Sequence, residues 1–188
     1  MAGMKPRWVV AVAAGVLFAA AQVSPVLAAP AAPAKAKKLT VTSPAFGNNA
    51  PIPSGFTCDG QSASPPLKLG KAPKGTKDRA LIMTDPDAPS GTLVHWVAWN
   101  LPSAGVPEQT LPPTVVQGKN TFGNPAYAGP CPPAGSAPHH YVFTVSAVSK
   151  KITLAPGATA DELRAAIKGK ELARGTLTGT YQRGAATQ

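Results

Sequence analysis

Short apolar runs separated by clusters of Gly and Pro dominate the chain from Leu39 onward. Leu39–Thr42, Arg79–Thr84, Val94–Leu101, Tyr141–Val148 and Thr176–Tyr181 are rich in β-branched and aromatic residues, and turn signals at this spacing predict an all-β sandwich or barrel. In the fourth run, Tyr141, Phe143, Val145 and Ala147 alternate with Val142, Thr144, Ser146 and Val148, so that both faces carry apolar residues. Such a strand belongs in the middle of a sheet.

The period changes once. Thr159 followed three residues later by Glu162 forms a capping box, Asp161 suits a first turn, and Leu163, Ala166, Ile167 and Leu172 can share an apolar face. This pattern predicts a helix near residues 160–173, weakened by about 0.5–1 kcal/mol at Gly169 and ended by Gly175. Two long Pro/Gly-rich connections, Asn48–Pro66 and Leu101–Ala137, remain. Long loops on a rigid β scaffold are where binding residues gather.

Ahead of these runs the sequence has a different character. Lys5 and Arg7, the apolar stretch Trp8–Ala21 and the small residue closing Val26-Leu27-Ala28 read as a secretory signal peptide over residues 1–28. The apolar stretch falls short of the ~20 residues that a spanning helix needs, so the cleaved chain is expected not to be transmembrane, the alternative being a segment retained as an uncleaved anchor. Residues 29–38 are a Pro/Ala/Lys leader without apolar periodicity, expected to be disordered, and residues 39–188 form one domain. The expected location is periplasmic or secreted.

The formal charge of +10 suggests nucleic acid until it is located. Five of the 18 Lys and Arg precede Leu39, which leaves 13 against 8 acids, a net of +5 with no basic run and no basic stripe interleaved with aromatics. Nucleic acid is not an expected partner. Cys58 and Cys131 are the only cysteines, and an even count in an exported chain favours a disulfide over two small buried thiols.

Three segments carry candidate chemistry: Asp85 and Asp87 around Pro86; His95-Trp96; and the loop Gly129-Pro-Cys-Pro-Pro-Ala-Gly135 leading to His139-His140-Tyr141. A few polar groups in an apolar shell are the make-up of a small-ligand pocket. Backbone amides around Gly129 and Cys131 can point at an anion, and imidazoles near their ordinary pKa can donate to it. The acids then serve as orienters, since a carboxylate accepting from one ring nitrogen turns the other toward the guest. Duller readings exist for each. Asp-Pro-Asp-Ala-Pro makes a good turn by itself, and His95, Trp96, Trp99 and Tyr141 taken singly suit a core. His139 and His140 point to opposite sides of a strand, so one at most faces a given pocket.

The ordered set FTCDG with SPPL (Phe56–Leu67), ALIMTDPDAP (Ala80–Pro89), HWV and WN (His95–Asn100), and GPCPP with HHY (Gly129–Tyr141) resembles the phosphatidylethanolamine-binding protein family. It is most similar to the bacterial YbhB/YbcL-type, Raf-kinase-inhibitor-like branch, over about Leu39–Arg183. The resemblance implies a mainly β fold, an antiparallel β-sandwich with Greek-key connections and one or two short helices. It also implies a small anion pocket lined by Asp85, Asp87, His95, Gly129, Pro132, His139 and Tyr141. His140 stands where the family often has Arg, which makes a fixed charge titratable, and Leu69 and Ala126 replace a frequent Trp and Gly.

The reading that follows is a binding protein rather than an enzyme. Its pocket holds phosphate or a phospholipid-headgroup-like ligand, without metal or other cofactor, to regulate or inhibit a protein target that the sequence does not identify. The rivals are a metal-dependent hydrolase using the Asp/His cluster and a structural homodimeric envelope protein with a vestigial pocket. Neither HExxH nor a two-metal carboxylate series is present.

Overall fold

In a computed structural model of the chain, Gly3 and residues 36–184 are described. Gly3 and residues 36–38 apart, the expected signal segment and leader lie outside them. No helix of the described residues is long and apolar enough to cross a membrane. The chain divides into two units, Met1–Ala32 and Pro33–Gln188, and every element of the described residues lies in the second.

In chain order these are β1 (Lys37–Lys38), β2 (Val41–Thr42), β3 (Ala50–Pro51), β4 (Leu67–Leu69), β5 (Asp78–Asp85), β6 (Leu93–Trp99), β7 (Gly105–Val106), β8 (Val116–Gly118), β9 (His139–Val148), α1 (Ala160–Ile167) and β10 (Glu171–Tyr181). The larger sheet has the order β1-β10-β9-β5-β6-β8, with β3 also on β10, and the smaller has the order β2-β4-β7. Strands β9, β5, β6 and β8 are mutually antiparallel neighbours, with the last-formed strand returning beside the first. That is a Greek key. Strand β10 is antiparallel to β9, and only the two-residue strands β1 and β3 run parallel to it.

Alternation along β5 explains the layers. Leu81 and Met83 face one way and join Val41, Leu67 and Val106 of the smaller sheet in one core, together with Trp96, Tyr141, Phe143 and Val145. Ala80 and Ile82 face the other way and pack with Val97, Trp99, Leu163 and Ile167, so α1 covers the opposite side of the same strands. A sheet buried on both faces reads as apolar on both, which is the pattern of β9.

Two boundaries differ from the sequence reading. The helix stops at Ile167 rather than continuing to 173: Lys168 leaves the helical region, and Gly169 turns the chain at φ 73° into β10. Leu172 therefore lies on a strand, and Gly175, expected to end the helix, sits within β10, where a Cβ would meet the Leu39 carbonyl oxygen at 1.9 Å. At the other end, Lys37 and Lys38 pair with Ala173 and Arg174, so strand pairing extends ahead of Leu39.

One buried carboxylate ties strand to loops. Asp78, 5% exposed, accepts from the backbone N–H groups of Arg79 (2.7 Å), Asn100 (3.0 Å) and Ile152 (2.9 Å). Asp78→Ala orphans these donors, each worth about 1–3 kcal/mol when buried. We expect a loss of about 3 kcal/mol or more in urea unfolding, and a loss below about 1 kcal/mol would contradict this accounting.

Candidate functional site

Strand β5 ends at Asp85 and β9 begins at His139, and the register that sets Thr84 opposite Val142 brings these two ends together. Asp85 is 2% exposed; its Oδ2 accepts from His139 Nδ1 at 2.8 Å and its Oδ1 from the Asp87 backbone N–H at 2.9 Å. The carboxylate thereby fixes the proton of His139 on Nδ1 and leaves Nε2 for other use. Asp87 has a different partner: its Oδ2 accepts from both the backbone N–H and Nδ1 of the exposed His140, each at 2.7 Å. These bonds, led by the backbone one, hold its carboxyl below the usual carboxylate range.

His95 enters by an irregularity. Between Met83 and Thr84 the β5–β6 register shifts, pairing Met83 with Trp96 but Thr84 with Val94. A bulge of this kind re-aims a side chain. Trp96 belongs to the core under the smaller sheet and Val94 packs toward α1, while His95 turns to the Trp96 side and meets Tyr141 edge-on, ring centroids 5.2 Å apart. Its Nδ1 donates to the Ala128 carbonyl at 2.9 Å, and its buried Nε2 has no partner among the described residues. Burial pushes its pKa down, against the Ala128 carbonyl and the Asp85 charge, so the ring is neutral.

Tyr141 is fully buried, and its hydroxyl has no partner among the described residues. Burial first, then the charge of the Asp85 carboxylate and its approach to the hydroxyl, raise its pKa, while the Cys131 backbone N–H opposes them; both groups lie near the hydroxyl without completing a hydrogen bond to it. That N–H belongs to the loop singled out in the sequence. A disulfide joins Cys131 to Cys58, with Cα atoms 5.4 Å apart, and Cys58 N–H donates to the Pro130 carbonyl. Gly129 lies so close to the 56–62 segment that a Cβ would stand 2.7 Å from Ser62 Oγ. Pro132 is buried and offers no donor.

The structure therefore gathers Asp85, His95, His139 and Tyr141, with the loop backbone beside them, and sets Asp87 at the exposed margin. Sequence reasoning missed Phe122, whose ring is 57% exposed and lies 6.0 Å from that of His95. Asn120 fixes its loop by accepting from the N–H groups of Phe122 and Asn124 and donating to the Ala126 carbonyl. An Asn winding a loop round itself was the available signal.

The family model described as phosphatidylethanolamine-binding protein matches residues 42–182. The UPF0098 protein PH1269 of Pyrococcus horikoshii is 43% identical over 73% of this chain and 74% of its own length. The Mycobacterium tuberculosis protein named as a lipoprotein, LppC, is 38% identical over 78% of this chain and 74% of its own. Among solved structures, Escherichia coli YbcL, titled a member of the mammalian PEBP family, superposes with a TM-score of 0.71 at 30% identity, covering 77% of this chain and 98% of that one. The PEBP homolog CT736 of Chlamydia trachomatis gives a TM-score of 0.73 at 34% identity, over 79% and 99%.

The state of His95 is directly testable. An imidazole disfavoured in its charged form loses stability as pH falls below its unfolded value of about 6.5, because the unfolded chain takes the proton first. Nitrogen-15 NMR at neutral pH should show the proton on Nδ1, with titration below about 6.5. A midpoint above that value would overturn the assignment.

Proposed function

The chain belongs to the phosphatidylethanolamine-binding protein family, and from that premise we propose that it is an exported binding protein for phosphate or a phospholipid-headgroup-like group, not an enzyme. The observation that carries this reading is the pair of unpartnered buried atoms, His95 Nε2 and Tyr141 Oη, beside the Asp85–His139 pair. Buried polar atoms without partners are rare and costly. A ligand that both donates and accepts satisfies them together: a protonated phosphate oxygen donates to His95 Nε2, while another oxygen accepts from Tyr141 and from the Cys131 N–H.

Charge supports the same choice. Asp85 already accepts from His139 and from the Asp87 N–H, which moderates its repulsion of an anion. A monoanion is easier to seat there than a dianion, so binding of a phosphate monoester should strengthen as pH falls through its second pKa of about 6. Turnover has less support, since the thiol nearest the cluster, Cys131, is spent in the disulfide. Export is supported by the lipoprotein name of a relative and by the secretory pattern of the first 28 residues. In that setting a regulator or inhibitor acts on an envelope or secreted protein, not on a cytosolic kinase.

Titration with phosphorylethanolamine and, separately, inorganic phosphate should shift the ring resonances of His95 and His139. Tyr141→Phe should weaken binding about three- to tenfold, the worth of one hydrogen bond. Unmoved His95 and His139 resonances at millimolar ligand would remove the proposal.

A further inference from the structure

The face of the larger sheet opposite this cluster holds a second candidate. Helix α1 packs Leu163 and Ile167 on Ala80, Ile82, Val97 and Trp99, and so covers only part of that face. Beside it the register aligns Ala80 with Ser146 and Arg174, and Ile82 with Thr144 and Thr176, in rows running across β5, β9 and β10. Between the helix edge and these rows lies a cleft of about 220 Å³, with Ile82 and Ile167 in its apolar wall. Thr84, Thr144, Ser146, Arg164 and Arg174 supply its polar groups.

The two guanidiniums are held differently. Arg174 donates from Nε and Nη2 to the two carboxylate oxygens of Glu171, which also accepts from Ser146 Oγ. That arrangement neutralises and orients Arg174 and leaves its Nη1 to donate. Arg164 is tied only through Nη1 to Asp161, whose carboxylate is 90% exposed. An i,i+3 pair so open to water is worth little and exchanges readily for another anion. The hydroxyls of Thr84 and Thr144 make no hydrogen bond among the described residues.

We propose that this cleft binds a small organic carboxylate with a short aliphatic body, at a site separate from the His95–Tyr141 cluster. Arg164, whose only ion-pair partner among the described residues is the exposed Asp161, matches one negative charge by exchanging that partner. A planar fork recognises a planar carboxylate in bidentate fashion. The threonine hydroxyls and Arg174 Nη1 complete the oxygens' partners, and Ile82 and Ile167 take the aliphatic body. A phosphate dianion brings a second charge for which the cleft has no free cation, and a long lipid chain exceeds its volume.

Methyl NMR of the purified protein tests this with butyrate, its amide and inorganic phosphate. Butyrate should shift the Ile82, Ile167 and Thr144 methyls saturably, and the amide should not. Arg164→Gln should weaken that binding about tenfold or more, the worth of a charged hydrogen bond. Tyr141→Phe should leave it unchanged, which separates failure here from failure at the other cluster. Absence of saturable shifts with butyrate, equal response to the amide, response to phosphate alone, or indifference to Arg164→Gln in a variant with a native spectrum would each overturn the proposal.

Discussion

The antiparallel register that sets Met83 opposite Phe143 and Thr84 opposite Val142 is the constraint on which the rest of the molecule depends. Side chains alternate with a period of two, so a slip of one residue would send Leu81 and Met83 toward α1 and turn Asp85 away from His139. Both faces of β5 and β9 are covered, one by the smaller sheet and one by the helix. The penalty for slippage is therefore paid on two sides, and the strand ends that hold the carboxylate–imidazole pair are fixed by the packing of the whole domain.

That pair also resolves why two acids stand together after an apolar strand. The turn and the orientation of His139 engage different atoms of one carboxylate. Asp85 Oδ1 accepts from the Asp87 N–H, as a turn-forming Asp does, while its Oδ2 orients His139. Asp87 instead holds the first residues of β9 through His140, outside the buried cluster. The expectation that His139 and His140 point to opposite sides of a strand has its consequence here. Each finds an acid, but one pair is buried and the other open to water.

Much of the fold was legible because burial on both faces leaves a strong signal: the apolar runs became β5, β6, β9 and β10 with ends displaced by a few residues. What failed depended on tertiary contact. Leu172 fits a helical period as well as a strand, and only the turn at Gly169 decides between them. The pairing of Lys37 and Lys38 uses backbone groups at a sheet edge, where lysine discourages further strands, and no apolar pattern announces it. Gly175 is a glycine because the Leu39 carbonyl passes over it, a neighbour 136 positions away in sequence. His95 was legible as a candidate by residue type, but its direction comes from a bulge. On a regular strand it would face away from Trp96.

The remaining piece is the loop, which has no ladder to define it. Its position rests on the Cys58–Cys131 disulfide, separated by 73 residues in sequence, and on the contact that only glycine permits at position 129. A cross-link closing so long a segment removes much freedom from the unfolded chain, and it also fixes the Cys131 N–H beside Tyr141 before any ligand arrives. A donor held in advance costs nothing further to order on binding. The buried cluster therefore depends on covalent and strand-end constraints, whereas the cleft beside α1 is defined by side chains on regular elements, with one guanidinium anchored and one free to exchange. Opposite faces of one sheet thus meet different physical demands: the first stabilises a neutral imidazole away from water, and the second keeps a charged group within its reach.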